Sequence, residues 1–114
     1  MPDLVHLYRE TRDLVSKNKP VFAPLYMLPH YSFSKLLLHR YVYFLSQRKE
    51  VLAQGLQVYS CSPGWVRTEM GGSEAPLSVE QGVQTPLHVL GISAKVHPQL
   101  QGQFFFNKKV FNYL

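Results

Sequence analysis

Cysteine is almost absent from this chain of 114 residues, which carries only Cys61. A single thiol excludes an internal disulfide, and the five histidines show no close ligand spacing, so no metal site is predicted. No apolar run approaches the roughly 18 residues of a membrane-spanning helix. The opening residues lack a basic segment followed by an apolar stretch, so no secretory signal is predicted and a cytoplasmic location is expected.

Acidic residues are also scarce. Seven Asp and Glu residues stand against twelve Lys and Arg residues, which gives a net charge of +5 and a pI of about 9.5. Such a balance can mark a nucleic-acid-binding protein. Here the basic residues are scattered, with no run longer than two, so we expect a solvated surface and no nucleic-acid interface. A hydrophobic content of 46% excludes a disordered chain and suits one small domain.

The first half of the chain carries two helical patterns. An amphipathic helix is predicted over 3–16, and a proline-rich connector follows it to His30. A long helix is then predicted over 31–50. Because this second helix is apolar nearly all round, we expect it to be buried on more than one side.

The second half alternates strand, helix and strand. A strand is predicted over 56–61, and Pro63-Gly64 ends it abruptly. The capping-box spacing of Ser78 and Gln81 opens a helix that continues to about residue 92 and that Pro86 should kink or shorten. A last strand is predicted over 103–106, followed by a basic, aromatic tail.

The connection between the two strands decides the fold class. A strand–helix–strand unit of this length favours parallel strands joined by a right-handed crossover. Two parallel strands alone make a poor domain, because parallel sheets need both faces covered and their edges need partners. The pattern is therefore typical of the end of a larger α/β sheet.

Tyr31 and Lys35 have the clearest chemical potential. Their i, i+4 spacing places both on one face of the predicted helix. A phenol, with a pKa of about 10, is a poor acid at neutral pH, and a neighbouring ammonium stabilises its anion. The pair is suited to protonating a carbonyl oxygen. The alternatives are a core or interface tyrosine and a solvated lysine.

Three further segments accompany this pair: PGWVRTEM over 63–70, SVEQGVQTP over 78–86 and GQFFFNKKV over 102–110. Together with the Tyr-x-x-Ser-Lys motif they resemble the C-terminal part of a short-chain dehydrogenase/reductase. The closest subgroup is that of the carbonyl reductase and menthone reductase-like enzymes. The resemblance covers essentially the whole chain.

The resemblance implies the C-terminal part of a doubly wound, Rossmann-type parallel sheet. The chain would be a single partial NAD(P)-binding domain over 1–114. Residues 1–30 resemble the insertion helix and connector of that subgroup. Residues 31–114 resemble its Tyr-Lys helix and its C-terminal strand–helix–strand. The family's Gly-rich phosphate turn and catalytic serine have no counterpart here, so Met1 would correspond to an internal position of a full enzyme.

The resemblance also implies an NAD(P)H-dependent oxidoreductase that reduces a ketone, aldehyde or quinone to an alcohol. Tyr31 would be the acid/base and Lys35 its helper, which also binds the nicotinamide ribose. Six residues after the strand would surround the ligands. The cofactor would be bound by Pro63, Gly64, Val66 and Thr68. The substrate would be contacted by Trp65 and Met70. The alternatives are an ordinary strand-ending turn and apolar packing.

Several properties follow from the same resemblance or stay open. NADP is expected in preference to NAD, although the residues that select between them belong to strands missing here. The chain alone should not catalyse, because it lacks a phosphate cradle. The alternative is a non-catalytic fragment that acts as an interaction module through an exposed strand edge. Substrate identity and oligomeric state stay open.

Overall fold

The computed structural model describes residues 3–17 and 29–112. Helix α1 spans Leu4–Lys17, which confirms the helix predicted over 3–16. The Asp3 carboxylate accepts a hydrogen bond of 2.8 Å from the His6 backbone N–H, so it caps the first turn. Most of the predicted connector lies outside the described residues. Pro29 belongs to the next helix, at a first-turn position where a missing N–H costs no helical bond.

The single helix predicted over 31–50 is wrong, because the structure divides it. Helix α2 spans Pro29–Ser46 and helix α3 spans Lys49–Ala53. Arg48 between them is extended, with φ −68° and ψ 137°. Ser46 is fully buried, and its hydroxyl donates to the Tyr43 carbonyl at 2.6 Å. A serine that hydrogen-bonds back to its own helix competes with the helical ladder and favours an end there.

The burial expected for α2 is only partly found. Leu36 is buried, and the Phe33 ring meets Tyr8 of α1 edge-on at 5.6 Å. Leu38 and Tyr43 stay exposed. Within the described residues, α2 therefore keeps apolar surface that a helix of this composition would bury in a larger protein.

Within the described ranges the sheet has three strands in the order β1-β2-β3: Ser60–Ser62, Phe104–Phe106 and Lys109–Val110. β1 and β2 are parallel, with Cys61 opposite Phe105, which confirms the predicted pairing. The strand predicted over 56–61 starts too early. The Gln101 side chain accepts from Val58 N–H at 3.0 Å and donates to the Leu56 carbonyl at 2.7 Å. This amide occupies the backbone groups that a strand partner would use.

β3 was not predicted. It pairs antiparallel with β2, with Phe106 opposite Lys109. Asn107 and Lys108 between them have φ values of 52° and 63°. Two successive positive φ values are typical of a type I′ hairpin turn, in which Asn-Gly is the usual signal. Lysine at the second position conceals that signal in the sequence.

The helix predicted to start at Ser78 is present but interrupted. Helix α4 spans Val79–Gly82 and helix α5 spans Gln84–Leu90. The capping box is confirmed: the Ser78 hydroxyl accepts from Gln81 N–H at 3.1 Å, and the Gln81 side chain accepts from Ser78 N–H at 2.8 Å. The break falls at Val83. Pro86 has no N–H to donate to the Gly82 carbonyl, so the ladder stops there.

Helices cover both faces of the sheet. Phe104 stacks on His39 of α2, with ring centroids 4.0 Å apart. The Phe105 ring faces His88 of α5, with ring centroids 6.3 Å apart. Successive strand residues point to opposite faces, so α2 and α5 lie on opposite sides. The α/β class is confirmed as a small mixed sheet, and the larger doubly wound sheet stays a prediction. In the part of the chain described, no helix has the length and apolarity of a membrane span.

Candidate active site

Tyr31 and Lys35 lie side by side in the first turns of α2. The Lys35 ammonium stands 5.5 Å from the centroid of the Tyr31 ring. Ser34 donates its hydroxyl to the Tyr31 carbonyl at 2.7 Å, which holds this turn. The Tyr31 side chain is 59% exposed, so its phenol is open to a ligand. The helical spacing thus brings the two predicted site residues together.

The pair opens into a groove of about 640 Å³ between α2 and the sheet, which we call the Tyr31 groove. Its helix side consists of Tyr31, Ser32, Lys35, Leu36, Leu38, His39 and Val42. Its sheet side consists of Tyr59, Ser60, Cys61, Ser62, Pro63 and Phe104. A predicted acid and a predicted cation therefore face the carboxyl end of β1 across one concave surface.

His39 is a residue of this groove that sequence reasoning missed. It follows Lys35 by one helical turn, so the spacing Tyr31, Lys35, His39 was the available signal. Burial and, to a smaller degree, the Lys35 charge lower the pKa of His39. The imidazole is therefore neutral at neutral pH and adds polar surface to the groove without adding charge.

Cys61 lines the sheet side of the same groove. Burial raises the pKa of its thiol. A protonated thiol is a poor nucleophile, so Cys61 adds a small, weakly polar surface to this groove.

A second groove, the Trp65 groove, lies at the carboxyl ends of β1 and β2 and holds about 580 Å³. It is lined by Ser62, Pro63, Gly64, Trp65, Pro76, Leu77, Gln81, Gln84, Thr85, Phe106, Asn107 and Lys108. Ser62 and Pro63 line both grooves, so the two are joined there. The carboxyl ends of parallel strands are where α/β sheets bind their ligands.

Gly64 makes the turn after β1 possible. Its φ is 82°, a left-handed value that side chains rarely adopt. A β-carbon at this position would stand 2.6 Å from Leu77 Cδ1. The left-handed backbone conformation therefore favours glycine at the end of the strand, and a side chain there would also displace the end of the Leu77 side chain.

The loop after Gly64 is held from both sides. Arg67 N–H donates to the Leu77 carbonyl at 2.8 Å, and Leu77 N–H donates to the Trp65 carbonyl at 3.2 Å. The Trp65 indole N–H donates to the Gly71 carbonyl at 2.8 Å. The Thr68 hydroxyl accepts from Gly71 N–H at 3.0 Å, so it also stabilises the loop.

The predicted site residues thus divide into two sets. The two grooves bring together Tyr31, Lys35, Pro63, Gly64 and Trp65. Val66, Thr68 and Met70 do not line either groove. The Val66 side chain packs against α4, and Met70 is 95% exposed. In the described ranges, no cluster of His, Cys, Asp or Glu is arranged to hold a metal ion.

Comparison with known proteins gives partial matches. No protein-family model matches the chain. Carbonyl reductase [NADPH] 1 of Sus scrofa is 36% identical over 69 residues, which are 60% of this chain and 24% of that protein. The Oryctolagus cuniculus protein of the same name is 45% identical over 56 residues, 46% of this chain and 19% of that protein.

A solved structure is similar as well. Carbonyl reductase Sniffer of D. melanogaster matches with a TM-score of 0.51 and 32% identity, over 64% of this chain and 27% of that one. The chain thus spans between about a fifth and about a quarter of the length of the relatives it matches.

Proposed function

We propose that this chain, a homologue of the carbonyl reductases among the short-chain dehydrogenases/reductases, supplies the acid/base part of a carbonyl reductase site. The resemblance predicted from the motifs is confirmed by these relatives. The proposed activity is NADPH-dependent reduction of a small-molecule carbonyl compound to an alcohol. One observation carries it: Tyr31 and Lys35 open into a groove that continues over Ser62 and Pro63 to the strand ends.

Tyr31 is the proposed general acid. When bound, the nicotinamide cofactor supplies the hydride that adds to the carbonyl carbon. The Tyr31 hydroxyl gives its proton to the carbonyl oxygen, and the Lys35 ammonium stabilises the phenolate left behind. In the reverse direction the phenolate removes the alcohol proton. The reaction thus reduces the carbonyl carbon of the substrate and oxidises the cofactor, and the proton on the product hydroxyl comes from Tyr31.

The residues present fit the nicotinamide-ribose end of such a cofactor. Lys35 offers a cation that can donate to ribose hydroxyls, and no acidic side chain lines the Tyr31 groove. A phosphate cradle is not found among the described residues, so we expect no turnover from the chain alone.

The finer assignments belong to the same proposal. Pro63 and Gly64 would lie under the nicotinamide. Val66 would offer backbone groups to the carboxamide, and Thr68 would place a hydroxyl near the cofactor. Trp65 would contact the substrate. The substrate role of Met70 and the cofactor roles of Val66 and Thr68 follow from the resemblance alone, since these three residues line neither groove. The chain would form one domain, with residues 1–30 as the insertion helix and connector and residues 31–114 as the Tyr-Lys helix and the C-terminal strand–helix–strand. NADP(H) would be preferred to NAD(H). The location would be cytoplasmic.

The test uses the chain fused behind the N-terminal region of a carbonyl reductase that it matches. We expect the fusion to oxidise NADPH with a quinone and the chain alone not to do so. Tyr31→Phe should lower kcat by about 10²-fold or more, because the general acid is lost. Tyr43→Phe is the matched control, since this exposed tyrosine of α2 lies outside both grooves. Equal activity of the two variants would refute the proposal.

A second candidate function is an interaction module. Among the described residues β1 pairs only with β2, so the other edge of Ser60–Ser62 is open. Open strand edges add further strands. Size-exclusion chromatography with light scattering should then show assembly of the isolated chain. A monomer that melts cooperatively would count against this function.

A further inference from the structure

The Tyr31 groove runs along the open edge of β1. Among the described residues β1 pairs only with β2, so no strand lies on its other side there. We propose that this groove is a strand-binding slot: an extended, uncharged segment of a partner polypeptide, apolar at alternating positions, adds to the edge of β1 and packs against α2. The inference rests on the interaction-module function proposed above and names the chemistry of the partner.

The residues that line the groove show where it lies. Phe104 stacks on His39 of α2 and is in register with Ser60, so Ser60 faces α2. The Tyr59 ring meets the Phe105 ring, with centroids 6.0 Å apart, on the α5 side of the sheet. Both Ser60 and Tyr59 line the groove. A groove that is lined from both faces of one strand lies along the edge of that strand.

The backbone beside this edge offers hydrogen-bonding groups to the groove. Ser60 N–H donates to the Gln103 carbonyl at 3.2 Å, so the backbone of Ser60 faces β2. Neighbouring residues of a strand direct their N–H and C=O groups to opposite sides, so those of Tyr59 and Cys61 point to the open edge. Pro63 would be the next residue of this row. It has no N–H, so the edge that can pair ends there.

Helix α2 supplies an apolar wall beside the same edge. Leu36, Leu38 and Val42 line the groove, and Leu38 is 49% exposed. The side chains of an added strand alternate between the two faces of the sheet, so every second one would lie against this wall. Burial of the wall removes apolar surface from water, which favours apolar side chains at those positions. The partner segment therefore alternates.

The charge of the groove limits the partner further. Lys35 is the sole lining residue that is charged at neutral pH, because burial and, after it, the Lys35 charge lower the pKa of His39. Lys35 would repel a cation on the partner segment. A carboxylate pressed against the apolar wall would lose its hydration. The segment that fits is therefore uncharged.

The direction of α2 separates this slot from the proposed chemistry. Ser46, the last residue of α2, lies against Gly102 just before β2, so α2 runs opposite to the strands. Tyr31 and Lys35, near its start, therefore lie toward the carboxyl end of β1. The apolar wall lies further along α2. A segment that fills this part of the groove leaves the Tyr31 phenol open at the mouth.

The relatives of this chain have room for such a segment. The match with the solved relative covers 27% of that chain, so most of its polypeptide lies outside the matched part. A sheet with two parallel strands needs its edges and faces covered. The β1 strand of a second copy, Ser-Cys-Ser, offers little apolar surface. The occupant is therefore a strand of the kind that continues a larger α/β sheet.

The test measures the binding of a defined peptide to the chain itself. The probe is a fluorescent peptide of about six residues, the usual length of a strand, in which valine and threonine alternate. Fluorescence anisotropy gives its affinity at concentrations where it stays monomeric. Hydrogen exchange followed by NMR gives its place. The Cys61 N–H should exchange more slowly with peptide bound, whereas the Ser60 N–H, already bonded to Gln103, should change less.

N-methylated peptides show whether the backbone pairs. One row of N–H groups of an added strand faces β1 and the other row faces away. A peptide with methyl groups on a central valine nitrogen and on the neighbouring threonine nitrogen cannot pair in either direction. We expect it to bind at least roughly tenfold more weakly than the unmodified peptide. At least one of the two singly methylated peptides should keep its affinity, because one row stays free.

Variants of the chain test both sides of the slot. Cys61→Pro removes an edge N–H and should weaken peptide binding roughly tenfold, while proline on an edge strand leaves the ladder intact. Cys61→Ser is its control and should bind normally. Leu38→Asp should also weaken binding. Leu52→Asp, at a similarly exposed leucine of α3 outside the groove, should not. Circular dichroism shows whether each variant folds, and the methylated peptides decide if Cys61→Pro does not.

Three results would overturn the inference. The first is equal affinity of the unmodified and the doubly methylated peptide. The second is peptide binding that neither Cys61→Pro nor Leu38→Asp weakens. The third is assembly of the chain that Cys61→Pro abolishes and the peptide does not displace, which indicates a second copy at this edge. A monomeric chain that binds the peptide would reject self-assembly alone, and a fusion without carbonyl reduction would reject the acid/base function alone, so these failures are distinguishable.

Discussion

Gly82 of α4 lies directly against the side chain of Val66. A β-carbon on Gly82 would stand 2.6 Å from Val66 Cγ2, and Gly82 is buried. This contact attaches the loop after β1 to the first turn of the following helices. The loop that carries Trp65 is therefore packed against a glycine that lies sixteen positions after Val66, in a different element.

Gly82→Ala should destabilise the protein by about 1–3 kcal/mol, because overpacking forces a stiff, β-branched neighbour to shift. The penalty should appear although alanine is the better helix former. Urea unfolding followed by circular dichroism measures it. Val66→Ala combined with Gly82→Ala should recover part of the loss, since the double variant removes the clash.

Gly91→Ala is the matched control for this change. Gly91 follows α5 with a φ of −83°, and an added β-carbon would meet the His88 carbonyl at an ordinary 3.4 Å. Its stability should stay within about 0.5 kcal/mol of the unaltered chain. If both alanine variants unfold at the same urea concentration, the contact with Val66 has no energetic weight.

Gly55 and Gly102 separate backbone strain from packing. Both have left-handed φ values, 66° and 78°. A β-carbon on Gly55 would meet nothing within 4 Å, whereas one on Gly102 would collide with the fully buried Ser46. Gly55→Ala should cost about 1–2 kcal/mol, the price of a left-handed alanine.

Gly102→Ala should cost clearly more, about 3 kcal/mol or above, because the collision adds to the same strain. Paired urea unfolding curves of the two variants measure the difference. A Gly102→Ala protein as stable as Gly55→Ala would mean that α2 and the segment before β2 do not pack as described.

Local patterns were sufficient for part of the fold. The Ser78–Gln81 capping box and the Tyr31–Lys35 spacing depend on residues within one helical turn, and the sequence shows both directly. The parallel pairing of the strands followed from a connection rule. These features need no knowledge of distant contacts, which is why they could be predicted.

The errors share a different physical origin. The first strand starts late because the Gln101 side chain, 43 positions away, takes the Val58 N–H. α2 ends at Ser46, which is buried against Gly102. Each depends on a long-range partner that hydrophobic periodicity does not report.

His39 should make stability depend on pH. Burial, followed by the Lys35 charge, lowers its pKa below the ordinary 6.5. Below about pH 6.5 the unfolded chain therefore binds a proton that the folded chain does not. The free energy of unfolding should fall as the pH drops through this window toward the folded pKa, by at most about 1.4 kcal/mol per pH unit.

Urea unfolding between about pH 5.5 and pH 7.5 measures this slope. His39→Gln should flatten it, whereas His97→Gln, an exposed residue outside both grooves, should leave it unchanged. An unaltered slope in His39→Gln would contradict the assignment of the proton to this imidazole.

The shared wall of Ser62 and Pro63 has a thermodynamic consequence. Ligands that fill both grooves meet at these two residues, so the free energy of binding one contains a contribution from the other. Linkage makes that contribution reciprocal: whatever factor a ligand in the Trp65 groove imposes on the affinity of a ligand in the Tyr31 groove, the second ligand imposes on the first. Two residues would then set a single coupling constant for the whole site.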